Sequence, residues 1–138
     1  MKNVRHAIVM VALIAASLVT SDFGQISYPL QAKIPFDFQV GNNMLPAGDY
    51  RIEPMNSFLL VRNTENNAHE AAILVRSCRT LKEMENSKLI FHRYGSSYFL
   101  SKVWVAGESD GAEVPTSSRE KEIANSGAAT EVALLIRH

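Results

Sequence analysis

Cysteine is nearly absent from this chain of 138 residues: Cys78 is the only one. A single cysteine forms no internal disulfide, so the fold has to rest on a hydrophobic core. Within Ile73-Leu-Val-Arg-Ser-Cys78-Arg79 the thiol reads either as a small half-buried hydrophobe or as an exposed group able to link two chains. Packing is the simpler reading. Excess charge is missing too, with 14 basic and 14 acidic side chains. That balance creates no field able to concentrate nucleic acid or anionic lipid, and a nucleic-acid partner is disfavoured. No Gly-x-Ser-x-Gly elbow, calcium loop or phosphate-binding glycine loop occurs. The longest apolar run, Ala7 to Thr20, falls short of the roughly 20 residues that span a bilayer as a helix.

That run is informative in another way. Lys2 and Arg5 precede it, Val19-Thr20-Ser21 places small or modest residues at its end, and Asp22 stops it. A basic start, an apolar stretch and a small-residue end make a secretory signal peptide. Residues 1–21 are expected to be removed, leaving 22–138 as a single exported domain, periplasmic or extracellular, with no stable transmembrane span. Loss of Lys2 and Arg5 leaves 12 basic against 14 acidic side chains, a formal net charge of −2.

The remainder reads as short extended segments separated by turns. Ala32, Ile34, Phe36, Phe38 and Val40 alternate with polar residues and Pro35, which predicts one strand with an apolar face. Pro35 lacks an amide donor, so this strand lies at an edge or carries an irregularity. Gly41-Asn-Asn43 and Pro46-Ala-Gly48 predict turns, the second with Gly48 in a left-handed position. Further strands are expected from Tyr50, over Phe58 to Arg62 and over Ala71 to Cys78, the last two pairing across the Asn-rich loop. Lys88 to Tyr94 and Tyr98 to Val105 form a hairpin that holds much of the aromatic content. Thr80 to Ser87 and Gly107 to Glu113 read as polar connections. Ser117-x-x-Glu120 is a capping box opening a helix of about two turns before Gly127. Glu131 to Arg137 reads as a last strand. The fold class is mainly β: an antiparallel β-barrel-like or β-sandwich domain of about seven short strands with one short C-terminal helix.

Two stretches are distinctive. Pro35-Phe-Asp-Phe-Gln-Val-Gly-Asn-Asn-Met-Leu45-Pro-Ala-Gly-Asp-Tyr50 is one. Lys88-Leu-Ile-Phe-His-Arg-Tyr-Gly-Ser-Ser-Tyr-Phe-Leu-Ser-Lys-Val-Trp104, followed by Ser118-Arg-Glu-Lys-Glu122, is the other. Together they resemble small exported proteins of unknown function from soil bacteria of the acidobacterial type. The resemblance implies a bacterial envelope or extracellular setting and carries no activity, cofactor or catalytic residue.

Candidate chemistry is sparse. Ser96, Ser97 and Ser101 lie near His92 in sequence, but the first two are better read as turn residues. Beyond residue 21 the histidines are His69, His92 and His138, in separate segments without paired ligand spacing. Asp37 and Asp49 read as strand and turn positions more readily than as cation ligands. Arg76, Arg79 and Lys82 are offset by Glu83 and Glu85 and read as a solvated face. No metal and no cofactor is expected, and the chain reads as a non-enzyme. The polar cluster of most interest is His92 and Tyr94, on one strand face by alternation, with Tyr98 and Trp104 nearby. These four are the candidate ligand-binding residues. The leading expectation is a binding domain whose partner is another protein, a surface polymer or itself, using exposed strand edges. The alternative is a small barrel carrying an apolar molecule, with Phe36, Phe38, Tyr50, Phe91, Phe99 and Trp104 lining its cavity.

Overall fold

In the computed structural model, which describes residues 29–136, the alternating segment is two strands and not one. The signal-peptide reading therefore lies outside the described residues, as does His138. Strand β1 (Leu30–Ile34) belongs to a first sheet and β2 (Phe38–Val40) to a second. The chain bends between them at Pro35 to Asp37, where proline offers no ladder donor. The apolar face survives the bend: Ala32, Ile34, Phe38 and Val40 are buried, and Phe36 packs against the same core.

Gly41, at φ +60°, turns the chain into β3 (Asn43–Leu45). A Cβ there would meet only the movable end of the Ile73 side chain, so it is the left-handed backbone that calls for glycine. Next come β4 (Gly48–Met55), β5 (Phe58–Asn63) and β6 (Glu70–Leu74), which complete an antiparallel sheet in the order β1-β4-β5-β6. The expected pairing across the Asn-rich loop is present, with Leu59 opposite Ile73 and Val61 opposite Ala71. Asn63 organises that loop by accepting from the Glu65 and Asn66 amides at 2.9 Å each. Gly48 opens β4 opposite Ile34 instead of completing a left-handed turn. It is needed for closeness: a Cβ would come within 3.0 Å of Asn63 Nδ2.

The segment Ala71 to Cys78 also breaks, at Val75, whose amide donates to Ser57 O at 2.8 Å. Beyond it β7 (Arg76–Arg79) joins the second sheet, with β8 (Ser87–Tyr94), β9 (Ser97–Trp104), β10 (Asp110–Glu113) and β11 (Thr130–Ile136). The order is β11-β8-β9-β10-β7, and β2 meets β9 through a parallel bridge between Gln39 and Phe99. A short helix, α1 (Ser118–Ala124), precedes β11. The β8–β9 turn is Gly95-Ser96, since Tyr94 pairs with Ser97 and Gly95 has φ +60°.

Among the described residues the architecture is a two-sheet β-sandwich of eleven strands and not a closed barrel. More strands form than the seven expected because two apolar runs each cross between sheets. In addition, β3 and β10 fall in stretches that read as turn and loop. The interior combines Leu30, Ile34, Tyr50, Ile52, Leu59 and Val61 of the first sheet with Leu89, Phe91, Leu100, Val103 and Ile136 of the second. Each such fully buried side chain contributes about 1.5–3 kcal/mol by leaving water.

Aromatic contacts join the two distinctive stretches. Phe36 stacks on Tyr98 with ring centres 3.7 Å apart and meets Phe91 edge-on at 5.0 Å. Phe38 in turn contacts Phe91 at 5.8 Å and Tyr50 at 5.0 Å, both edge-to-face. Tyr50 OH donates to Pro46 O at 2.5 Å, pinning the corner before β4. Burial pushes the Tyr50 phenol up, partly opposed by a bond from Asn63. Much of what makes these stretches distinctive is therefore packing.

Candidate functional site

Strand alternation and one helix cap build the main polar cluster. In β8, Leu89 and Phe91 face the interior, so His92 and Tyr94 project from the opposite, outer face. Phe99 is opposite His92 in the ladder and lies on that same face, 5.8 Å edge-on from Tyr94. Above this face sits α1. Its N-cap is Ser117, extended at φ −72° and ψ 162°, whose Oγ accepts from the Glu120 amide at 3.1 Å. This half of the expected capping box forms. The Glu120 side chain is directed down to the sheet: its Oε2 lies 2.9 Å from His92 Nδ1 and accepts from Tyr94 OH at 3.0 Å. The helix thus lies on the outer face of the second sheet.

Glu120 is only 6% exposed, and two donors meet one of its oxygens. A carboxylate accepts and does not donate, so His92 Nδ1 carries a proton directed at Glu120. Burial and the Glu120 carboxylate together push the Tyr94 phenol up. Its folded-state pKa exceeds the unfolded value, so the associated stability is intact below about pH 10 and is lost as pH rises above it. Replacing Glu120 with Gln is expected to lower the Tyr94 titration midpoint while leaving the burial contribution. Ultraviolet titration of the phenolate checks this, and an unchanged midpoint would remove Glu120 as a cause.

The four candidate ligand residues separate. His92 and Tyr94 come together under α1. Tyr98 faces the other way, against Phe36, with the Arg93 guanidinium 5.6 Å from its ring centre. Trp104 is on the outer face but four residues along β8 from the His92 row, opposite Lys88 and over Gly111. The six aromatics expected to line one cavity are divided likewise. Phe36, Phe38, Tyr50 and Phe91 pack between the sheets, whereas Phe99 and Trp104 lie outside the second one.

No family model, curated protein or solved structure matches the chain.

Among the described residues, no group of three His, Cys, Asp or Glu side chains is placed to hold a metal ion. Asp37 accepts from the Ala47 amide at 2.9 Å, and Asp49 is opposite Lys33. Arg79 is bonded to Asp110 at 2.9 Å and Arg76 is opposite Glu113, so β10, not Glu83 and Glu85, supplies their counter-charges. Cys78 is half-buried opposite Gly111, and burial pushes its thiol up, keeping it protonated and poorly nucleophilic. Ser101 is buried within β9.

Sequence reasoning missed Glu120 as the centre of the cluster. The capping signal placed it at the third helical position, but nothing in one-dimensional spacing said which sheet residues it would meet. A second feature was missed on the other sheet. Met55 is opposite Phe58, and Phe58 is opposite Leu74. These three form a row across β4, β5 and β6, with exposures of 49%, 52% and 60%. Each lies on the solvent face, because Leu59 and Val61 between the outward positions of β5 are buried. Apolar residues at both ends of the tight Asn56-Ser57 hairpin were the available signal.

Proposed function

We propose that this chain is an exported, non-enzymatic binding domain that engages its partner through the outer face of the first sheet. The row Met55, Phe58 and Leu74 carries this reading, because large apolar side chains aligned on an open sheet face mark interaction sites. Leu60 and Ala72 extend the row on the same face. Farther along, Arg51, Arg62 and Glu70 supply a charged border, with Arg62 bonded to Glu70 at 2.8 Å. Apolar centre and polar rim are the ordinary anatomy of an interface. Export rests on the basic, apolar and small-residue pattern of residues 1–21. Among the described residues no helix is long and apolar enough to cross a membrane.

The His92–Glu120–Tyr94 cluster is best assigned to holding α1 on the second sheet. All three polar groups satisfy one another, and two hydrogen bonds to a charged acceptor are worth about 1.5–3 kcal/mol each.

The test is co-purification from the envelope of a host expressing the protein. Wild type is expected to retain partners that Phe58→Ser with Leu74→Ser releases, at unchanged thermal stability. Equal retention by both proteins would reject the face as the binding surface.

A further inference from the structure

The edge beside the apolar row has a defined hydrogen-bonding pattern. The Asn63 amide donates to His69 O at 2.9 Å and the Val75 amide to Ser57 O at 2.8 Å. These bonds flank the β5–β6 ladder, in which Leu59 is opposite Ile73 and Val61 opposite Ala71. Antiparallel pairs alternate between bonded and non-bonded. The bonded positions of β6 are therefore 71 and 73, and the main-chain N–H and C=O groups of Glu70, Ala72 and Leu74 point away from β5. Among the described residues no strand pairs with β6 on that side.

Of the other sheet margins, β11 lies beside β1 of the first sheet, and the rest are protected. The margin strand β7 carries Arg76 and Arg79, β1 carries Lys33 and runs into Pro35, and β3 has only three residues. Charge, proline and shortness are the usual devices against edge pairing. In β6 the one charged residue is Glu70, at its first position and already bonded to Arg62. The middle of the strand has no charge and no proline, and Ala72 and Leu74 are exposed.

We infer that β6 is an acceptor edge for strand addition, taking an extended segment of a partner polypeptide with an apolar residue facing Leu74 and a basic residue facing Glu70. This rests on the binding reading above and names its partner chemistry. Charge selects the occupant. A second copy pairing β6 with β6 about Ala72 uses all the outward groups but sets each Glu70 against a Leu74, whereas a basic residue there flanks the carboxylate opposite Arg62. Size agrees, because three half-exposed side chains fall well below the ~800 Å² per partner of a standard interface between folded faces. Strand addition draws its affinity from main-chain bonds and takes specificity from alternate side chains.

The probe is the acetylated, amidated heptapeptide Thr-Phe-Thr-Val-Thr-Lys-Thr, which in antiparallel register sets Phe against Leu74 and Lys against Glu70. The protein spanning 22–138 is titrated with it, and amide exchange is followed by NMR. The expected result is slowed exchange at Glu70, Ala72 and Leu74, with a Kd in the millimolar range or below. Ala72→Pro removes the central outward donor while sparing the β5 ladder, and is expected to weaken binding about tenfold. Glu70→Lys is expected to shift preference to the peptide with Glu in place of Lys, and this holds the test open if the proline variant unfolds. Three results overturn the inference: no protection at the three amides, protection there without peptide that grows with protein concentration (a second copy is then the occupant), or indifference to both substitutions. If the peptide fails while envelope partners still depend on Phe58 and Leu74, only the strand-addition inference falls.

Discussion

Phe91→Ala is expected to destabilise the domain by about 3–5 kcal/mol, the range for truncating a fully buried aromatic. The side chain is 0% exposed and is held between Phe36 and Phe38 at 5.0 and 5.8 Å, both edge-to-face. Its loss removes apolar burial from the second sheet and also the contact through which β2 and the Pro35 bend are held. Chemical denaturation measures the change directly. A drop below about 1 kcal/mol would mean that the site collapses to fill the space, and that the aromatic chain does not hold the crossing segment. The stacked pair Phe36 and Tyr98 offers an internal comparison. Tyr98 is only part-buried, so Tyr98→Ala is expected to cost less than Phe91→Ala.

The second large effect is expected on the other face of the same sheet. Gly111 is opposite both Trp104 and Cys78 in the ladder. A Cβ at Gly111 would lie 2.5, 2.8 and 2.9 Å from three ring carbons of Trp104. An indole is rigid and here 6% exposed, so it yields only by leaving its place. Gly111→Val is therefore expected to cost about 2–3 kcal/mol, at the upper part of the range for overpacking. A double-mutant cycle identifies the cause: in a Trp104→Leu background the same substitution is expected to cost markedly less. Equal costs in both backgrounds would place the strain in the backbone of β10 instead of in the contact. Trp104 fluorescence provides a second reading, because an indole forced off the sheet becomes solvated.

Both substitutions probe packing, and the proposed binding surface lies apart from them, on the first sheet. The second sheet is buried on both sides around its centre, by the core beneath and by α1 with its Glu120 anchor above. The first sheet is buried on one side only. Its outer face is where large apolar side chains remain uncovered, and β6 is where main-chain groups remain directed outward. A binding role for the first sheet leaves the His92–Glu120–Tyr94 cluster its structural task. Substitutions there are expected to loosen α1 without altering what the β6 edge recognises.

Local pattern revealed much of this. Alternation from Ala32 to Val40 correctly named the residues that face inward, and Pro35 correctly marked an irregularity. The pairing of β5 with β6, the β8–β9 hairpin, the Ser117 cap and the closing strand β11 were all readable from periodicity and turn chemistry. His92 and Tyr94 were rightly placed on a common face. Tyr98 and Trp104 were grouped with them by nearness in sequence, and the ladder sends Tyr98 to the opposite side and Trp104 to a different row.

The sequence by itself determined a β-rich chain without an internal disulfide, which side of most strands is apolar, and where its hairpins turn. Those properties depend on the period of two and on φ preferences, which act between neighbours along the chain. Only the tertiary structure decided that Leu30–Val40 and Glu70–Arg79 each divide between two sheets, because crossing a sandwich corner preserves the in-and-out alternation and leaves no mark in it. It also decided that Glu120 meets His92 and Tyr94, and that among the described residues no strand lies beside the outward groups of Glu70, Ala72 and Leu74. Those facts concern residues far apart in the chain, and their positions are set by how the sheets pack.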